Sequence, residues 1–115
     1  MVDKEFVQYV IDILSPYGAI KARSMFGGYG IYKDNIITAI IVNNELYFKV
    51  NDANINDYKN YGCQPFAYIA NQKTIQMSYW RVPVNILEDS TLLGEWFNKA
   101  WQASLQAKKK NQKPL

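Results

Sequence analysis

Catalysis needs reactive side chains that a fold can bring together, and this sequence offers few. It has no histidine. The commonest general base is therefore missing, together with Ser-His and Cys-His nucleophile pairs and the usual zinc ligands. The one cysteine, Cys63, can form neither an internal disulfide nor a thiolate metal site. It follows Gly62 and reads as a small loop or core residue. The carboxylates do not converge. Asp34 and Glu45 stand near turns, Glu88-Asp89 suits helix capping, and Asp52 and Asp57 do not share a helix face. No catalytic, cofactor-binding or metal-binding residue is assigned, and the chain is not expected to be an enzyme.

Two stretches remain as candidate recognition elements. Ala22–Tyr32 carries Gly27, Gly28 and Gly30 among Phe26, Tyr29 and Tyr32. Gly28-Tyr29-Gly30 begins like G-x-G-x-x-G, but Lys33 stands at the last position and no long helix follows, so a phosphate cradle is not supported. The glycines instead mark a bulge or bend in a first strand. The second stretch is Met77–Pro83. In one reading Trp80 or Tyr79 packs under a helix and Arg81 pairs with an acid. In the other, Arg23 and Arg81, each on an aromatic-rich strand, belong to a recognition surface able to stack bases. Arg23, Tyr29, Lys49, Tyr79 and Arg81 are the candidate interaction residues.

Charge restricts the partners. The net +3 depends on Lys108, Lys109, Lys110 and Lys113; without them nine basic residues face ten acidic ones. Phosphate neutralisation by Lys and Arg supplies most non-specific DNA affinity, so a near-neutral body binds nucleic acid weakly unless its cations cluster on one face. The N-terminal segment has no signal-peptide pattern and no run reaches membrane-spanning length, which points to a cytoplasmic protein with no membrane role.

The elements that must position these residues follow from periodicity. Asp3–Leu14 reads as a helix capped by Asp3, with Phe6, Val7, Val10, Ile11 and Leu14 on its apolar side and Pro16 and Gly18 beyond it. Ile20–Lys33 reads as one strand, broken at Gly27-Gly28. Asp34-Asn35 and Asn43-Asn44 supply tight hairpin turns around the apolar strand Ile36–Val42. Glu45–Val50 alternates, with Leu46, Phe48 and Val50 on the core side. A short helix capped by Asn51 or Asp52 runs to about Tyr61, with Gly62 at C′. Phe66–Ala70, Asn71-Gln72 and Thr74–Val82 make a second hairpin. Pro83–Leu87 is a short helix, and Asp89 or Ser90 caps a final helix from Thr91 to Lys108 whose stripe includes Leu93, Trp96, Phe97 and Ala100. Residues 1–107 form one domain, and 108–115 a basic, frayed tail. The links before the middle helix are too short for parallel crossovers. The fold class is therefore α+β, a two-layer sandwich: an antiparallel sheet of about five strands with helices on one face, in the order α-β-β-β-α-β-β-α.

Four motifs, Ala22–Tyr32, Glu45–Val50, Gly62–Tyr68 and Ser78–Pro83, occur in order over about residues 3–106. In this combination the chain resembles the N-terminal domain of the TfoX/Sxy family. The resemblance implies a secretion-chaperone-like two-layer fold and a role in competence or transcription regulation. The family's named members act with the cyclic-AMP receptor protein and carry a second, C-terminal domain; this sequence corresponds to the first. No catalytic residues come with the resemblance. The functional expectation is a non-enzymatic regulatory module with a protein partner, the transcription machinery being the candidate. The alternative is weak nucleic-acid binding through Arg23, Arg81 and the lysine tail. An exposed edge strand leaves homodimerisation open.

Overall fold

A computed structural model describes residues 3–25 and 27–111. Helix α1 spans Lys4–Leu14. A short 3-10 turn, Ser15–Tyr17, leads into four strands: β1 (Ile20–Met25), β2 (Gly28–Lys33), β3 (Ile36–Val42) and β4 (Glu45–Lys49). Helix α2 (Ile55–Asn60) is followed by β5 (Pro65–Ala70) and β6 (Lys73–Arg81), then α3 (Val84–Leu87) and α4 (Ser90–Asn111). The six strands form one antiparallel sheet in the order β1-β2-β3-β4-β6-β5. The expected fold class holds, with six strands in place of about five.

The extra strand corrects the reading of Ile20–Lys33 as one bulged strand. It is a hairpin, in register from Ile20↔Lys33 to Met25↔Gly28. Gly27, at φ +77°, lies in the link, where a left-handed conformation closes a tight turn. Gly28 serves close approach: a Cβ there would stand 2.2 Å from the Ile41 carbonyl oxygen. The real bulge is one strand later, where Ile31↔Ala39 is followed by Tyr32↔Ile37 and Thr38 is the extra residue.

The other hairpins turn where the sequence places them. Asp34-Asn35 and Asn43-Asn44 have positive φ at both positions, as type I′ turns require, and so do Asn71-Gln72. Asp3 caps α1 by accepting the Glu5 N–H at 2.9 Å, and Asp89 caps α4 by accepting the Leu92 N–H at 3.1 Å. Helix α2 begins later than expected. Asn51 accepts the Ala53 N–H in a preceding turn, and buried Asn54 ties that turn to the Lys49 carbonyl. The end of α2 is a Schellman motif, with Gly62 N–H donating to Lys59 and Cys63 N–H to Tyr58. Helix α4 continues to Asn111, past the expected end at Lys108. Positions 112–115 of the expected tail, and Phe26, lie outside the described residues.

One register row explains how the two layers meet. Ala22, Ile31, Ala39, Phe48 and Trp80 are cross-strand neighbours over five strands. Ile31, Ala39 and Phe48 are fully buried, and Ala22 and Trp80 pack against the core. Val7, Val10 and Leu14 of α1 and Leu93, Trp96, Phe97 and Ala100 of α4 belong to the same core. Fully burying each large side chain contributes about 1.5–3 kcal/mol, so this face accounts for the helices' docking. Tyr58 packs against Trp96 in a tilted pair, 4.5 Å between ring centroids, and carries α2 into the core.

Candidate interaction face

The next register row belongs to the opposite face, because neighbouring strand residues alternate. It reads Arg23, Gly30, Ile40, Tyr47, Arg81 across β1, β2, β3, β4 and β6. Four strand spacings set its two guanidinium-bearing ends roughly 19 Å apart. The adjoining positions are Lys21↔Tyr32↔Ile37 and Lys49↔Tyr79. The helices cover the other side of the sheet, and only the C-terminal end of α4 reaches the corner of this face at Lys49 and Tyr79. Arg23, Lys49, Tyr79 and Arg81, expected as interaction residues, thus share this open face. Tyr29 has the opposite parity: it alternates with Gly30, pairs with Ile41 and packs against the core, and it also lines the apolar groove at one end of the face. The hairpin at Gly27 sets that parity, and the bulged-strand reading concealed it.

Charge is sorted between the faces. Lys21, Arg23, Lys49 and Arg81 stand on the open face with one acid, Glu45. The other nine acids lie on helices, turns and caps. The near-neutral body therefore hides a basic face, a property that overall composition cannot reveal. Three of these cations, Arg23, Lys49 and Arg81, have a local contact. The Arg23 guanidinium lies 5.1 Å from the Tyr32 ring centroid, and the Lys49 ammonium lies 5.0 Å from that of Tyr79. Lys49 also donates to Ser78 Oγ at 2.6 Å, and burial pushes its pKa down. Arg81 Nε is 3.7 Å from Glu45, an exposed pair of small energetic weight. The reading in which Arg81 meets an acid and Trp80 packs under a helix is also met, since the Trp80 ring lies tilted 6.4 Å from that of Tyr58 on α2.

Aromatic side chains interleave with these cations. Tyr47 donates to Glu45 at 3.0 Å and meets Phe66 edge-on at 5.4 Å. Its hydroxyl pKa is raised to about 12 by burial, then by the Glu45 hydrogen bond and charge, against a lowering from Arg81. Tyr79 is buried, and that burial, followed by Tyr32, raises it to about 12.

At one end the face deepens into a groove. Met25, Ile40, Val42, Phe66, Tyr68 and Met77 line a space of ≈ 460 Å³. The sheet coils so that β5 and the outer part of β6 come round to face β1–β3. Residues Lys73 to Ser78 are exposed, and Ile69, Tyr68, Ile75 and Met77 show large apolar surface to solvent. Sequence alternation marked Tyr47 as facing away from the core. The curl that brings Phe66 and Met77 to Met25 has no local signature.

Cys63 is the residue after Gly62 in the α2 cap, half-buried against the core, with burial raising its thiol pKa. Among the described residues no three His, Cys, Asp or Glu side chains are placed to hold a metal ion. Among them, too, no helix is long and apolar enough to cross a membrane.

Fold and face together define a class: an α+β two-layer domain with one sheet face packed under helices and the other left as a basic, aromatic surface. The match to known families falls in the same place. The model of the TfoX N-terminal domain family matches residues 12–104, and the chain belongs to that family. No curated protein matches it.

Proposed function

We propose that this chain is a non-enzymatic regulatory module that binds a protein partner through the open face of its sheet. The observation that carries the proposal is that face itself: an apolar groove at one end of a sheet face that carries four cations and one acid. Exposed, contiguous apolar surface of this kind marks interaction sites. A partner suited to it is acidic around an apolar anchor, because charge complementarity steers encounter while the buried anchor supplies affinity. Membership of the TfoX N-terminal domain family supports a regulatory role, and the transcription machinery of a cytoplasmic competence or related circuit is the partner we would test first.

The test is capture with wild-type chain beside two variants, Met77→Glu in the groove and Arg23→Glu/Arg81→Glu at the ends of the row. A partner retained by wild type and lost from both variants is the expected result. Retention of the same partner by both variants would refute the assignment of this face.

The clustering of Lys21, Arg23, Lys49 and Arg81 among tyrosines favours a second reading, single-stranded nucleic-acid binding. Neutralising about four phosphates predicts a slope of log affinity on log salt of roughly −3. A flat salt dependence removes this reading and leaves the first intact.

A further inference from the structure

A second cavity is built differently from the groove. Tyr32, Ile37, Lys49, Tyr79, Ser104 and Lys108 line a pocket of ≈ 410 Å³ where β2, β3, β4 and β6 meet the end of α4. These positions are far apart in sequence, and only the extension of α4 past Ser104 brings Lys108 to the sheet. Two features of the wall lack partners. The Lys49 ammonium is half-buried, and no carboxylate among the described residues lies within ion-pair distance of it. Its contacts are a hydroxyl and a ring face. Ser104 is 4% exposed, and its hydroxyl makes no hydrogen bond. Buried polar groups are normally paired, and an unpartnered hydroxyl in the same pocket wall as a half-buried ammonium with no carboxylate is the arrangement an anionic group would complete. The remaining walls are the rings of Tyr32 and Tyr79 and the aliphatic Ile36 and Ile37.

We propose that this pocket binds a small organic anion, a phosphate ester or carboxylate carried on a flat apolar body. Lys49 and Lys108 hold the charge, the Ser104 hydroxyl donates to it, and Tyr32, Ile37 and Tyr79 pack the body. The volume suits one ring with one anionic group and lies at the small end of metabolite sites. The pocket shares no lining residue with the groove, although Lys49 and Tyr79 also belong to the basic face, and it does not depend on a protein partner.

The experiment is an amide NMR titration of the labelled full chain with phenyl phosphate, benzoate and inorganic phosphate in separate arms. Saturable shifts at Tyr79 and Ser104 are expected with at least one of the two aromatic anions, at an affinity of about millimolar or tighter. Lys49→Met and Ser104→Val should each weaken that binding roughly tenfold, the scale of one charge-assisted hydrogen bond. Lys59→Met on α2 should leave it unchanged. Thermal melts confirm that the variants fold; if the internal ones do not, Lys108→Met at the exposed helix end carries the same expected direction. The proposal is overturned by no saturable shift at about 10 mM of either aromatic anion, or by inorganic phosphate binding as tightly as both of them. Undiminished binding in a folded Lys49→Met chain also overturns it. A fourth arm with a single-stranded oligonucleotide separates the sources of phosphate. Shifts with the oligonucleotide alone overturn the small-anion site in favour of nucleic-acid binding.

Discussion

Gly28→Ala should be among the most damaging small substitutions in this protein. The new methyl would stand 2.2 Å from the Ile41 carbonyl oxygen, a backbone atom that no side-chain rotation can move. Restoring an ordinary contact needs a displacement of roughly 1 Å between β2 and β3. Ladder bonds near the ideal of about 2.9 Å would then stretch to about 3.9 Å, beyond hydrogen-bond length. One or two lost bonds at about 1 kcal/mol each, with about 1–3 kcal/mol for overpacking, give a loss of roughly 3 kcal/mol. At about 2.1 cal/mol/K per residue, a chain of this length loses about 0.24 kcal/mol per degree, so the melting temperature should fall by about 12 °C. Gly62→Ala is the control. Its φ is +73°, but nothing lies within 4 Å of the added methyl. It should cost only the left-handed backbone penalty of about 1 kcal/mol, or about 4 °C. Urea unfolding followed by tryptophan fluorescence measures both. If Gly28→Ala is as mild as Gly62→Ala, the β2–β3 approach described above is wrong.

Other substitutions probe separate features. Tyr58 is buried with its hydroxyl unpartnered, so Tyr58→Phe should leave stability unchanged or raise it by up to about 1 kcal/mol; a loss above that in urea unfolding would reveal a missed partner. Asp89→Ala removes the cap of α4 and should cost about 1 kcal/mol, with helical content measured by circular dichroism largely retained. Tyr47 and Tyr79 should ionise near pH 12 in an ultraviolet titration, and burial should hold Tyr58 well above the ordinary phenol value. Because folding raises these values, the unfolded chain loses its phenol protons first, near pH 10. The stability they confer is complete below about pH 10 and declines as pH rises toward 12; an unchanged urea midpoint over that interval would contradict their burial.

Local rules carried most of this fold. The Asp3 and Asp89 caps, the paired turn residues and Gly62 all act within a few residues of themselves, so their chemistry can be read in sequence. The failure at Gly27-Gly28 is instructive because a bulge and a hairpin use the same residue type. What separates them is whether the chain on either side pairs with itself, a long-range fact. That choice sets the parity of Tyr29 opposite to that of Arg23. The basic face was invisible for a related reason: net charge sums over both faces, whereas partners meet one. Lys49 was legible as an interaction residue, but its meeting with Ser104 and Lys108 was not, because their pocket depends on where α4 crosses the sheet.

The junction of β4 and β6 bears on motion. Among the described residues Tyr47↔Arg81, Phe48↔Trp80 and Lys49↔Tyr79 join these strands, extended at the two ends by Val82 N–H donating to the Leu46 carbonyl and Val50 N–H to the Ser78 carbonyl, and beyond Ser78 β6 pairs with β5 alone. The outer hairpin can therefore pivot or open while the helix-packed core stays intact. Its amides, from Ala67 to Gln76, should exchange with solvent through local opening, far faster than those of β3. One wall of the groove would then be hinged and the other fixed. Groove width becomes adjustable at small energetic expense, so partners with anchors of different girth could be seated by a single domain.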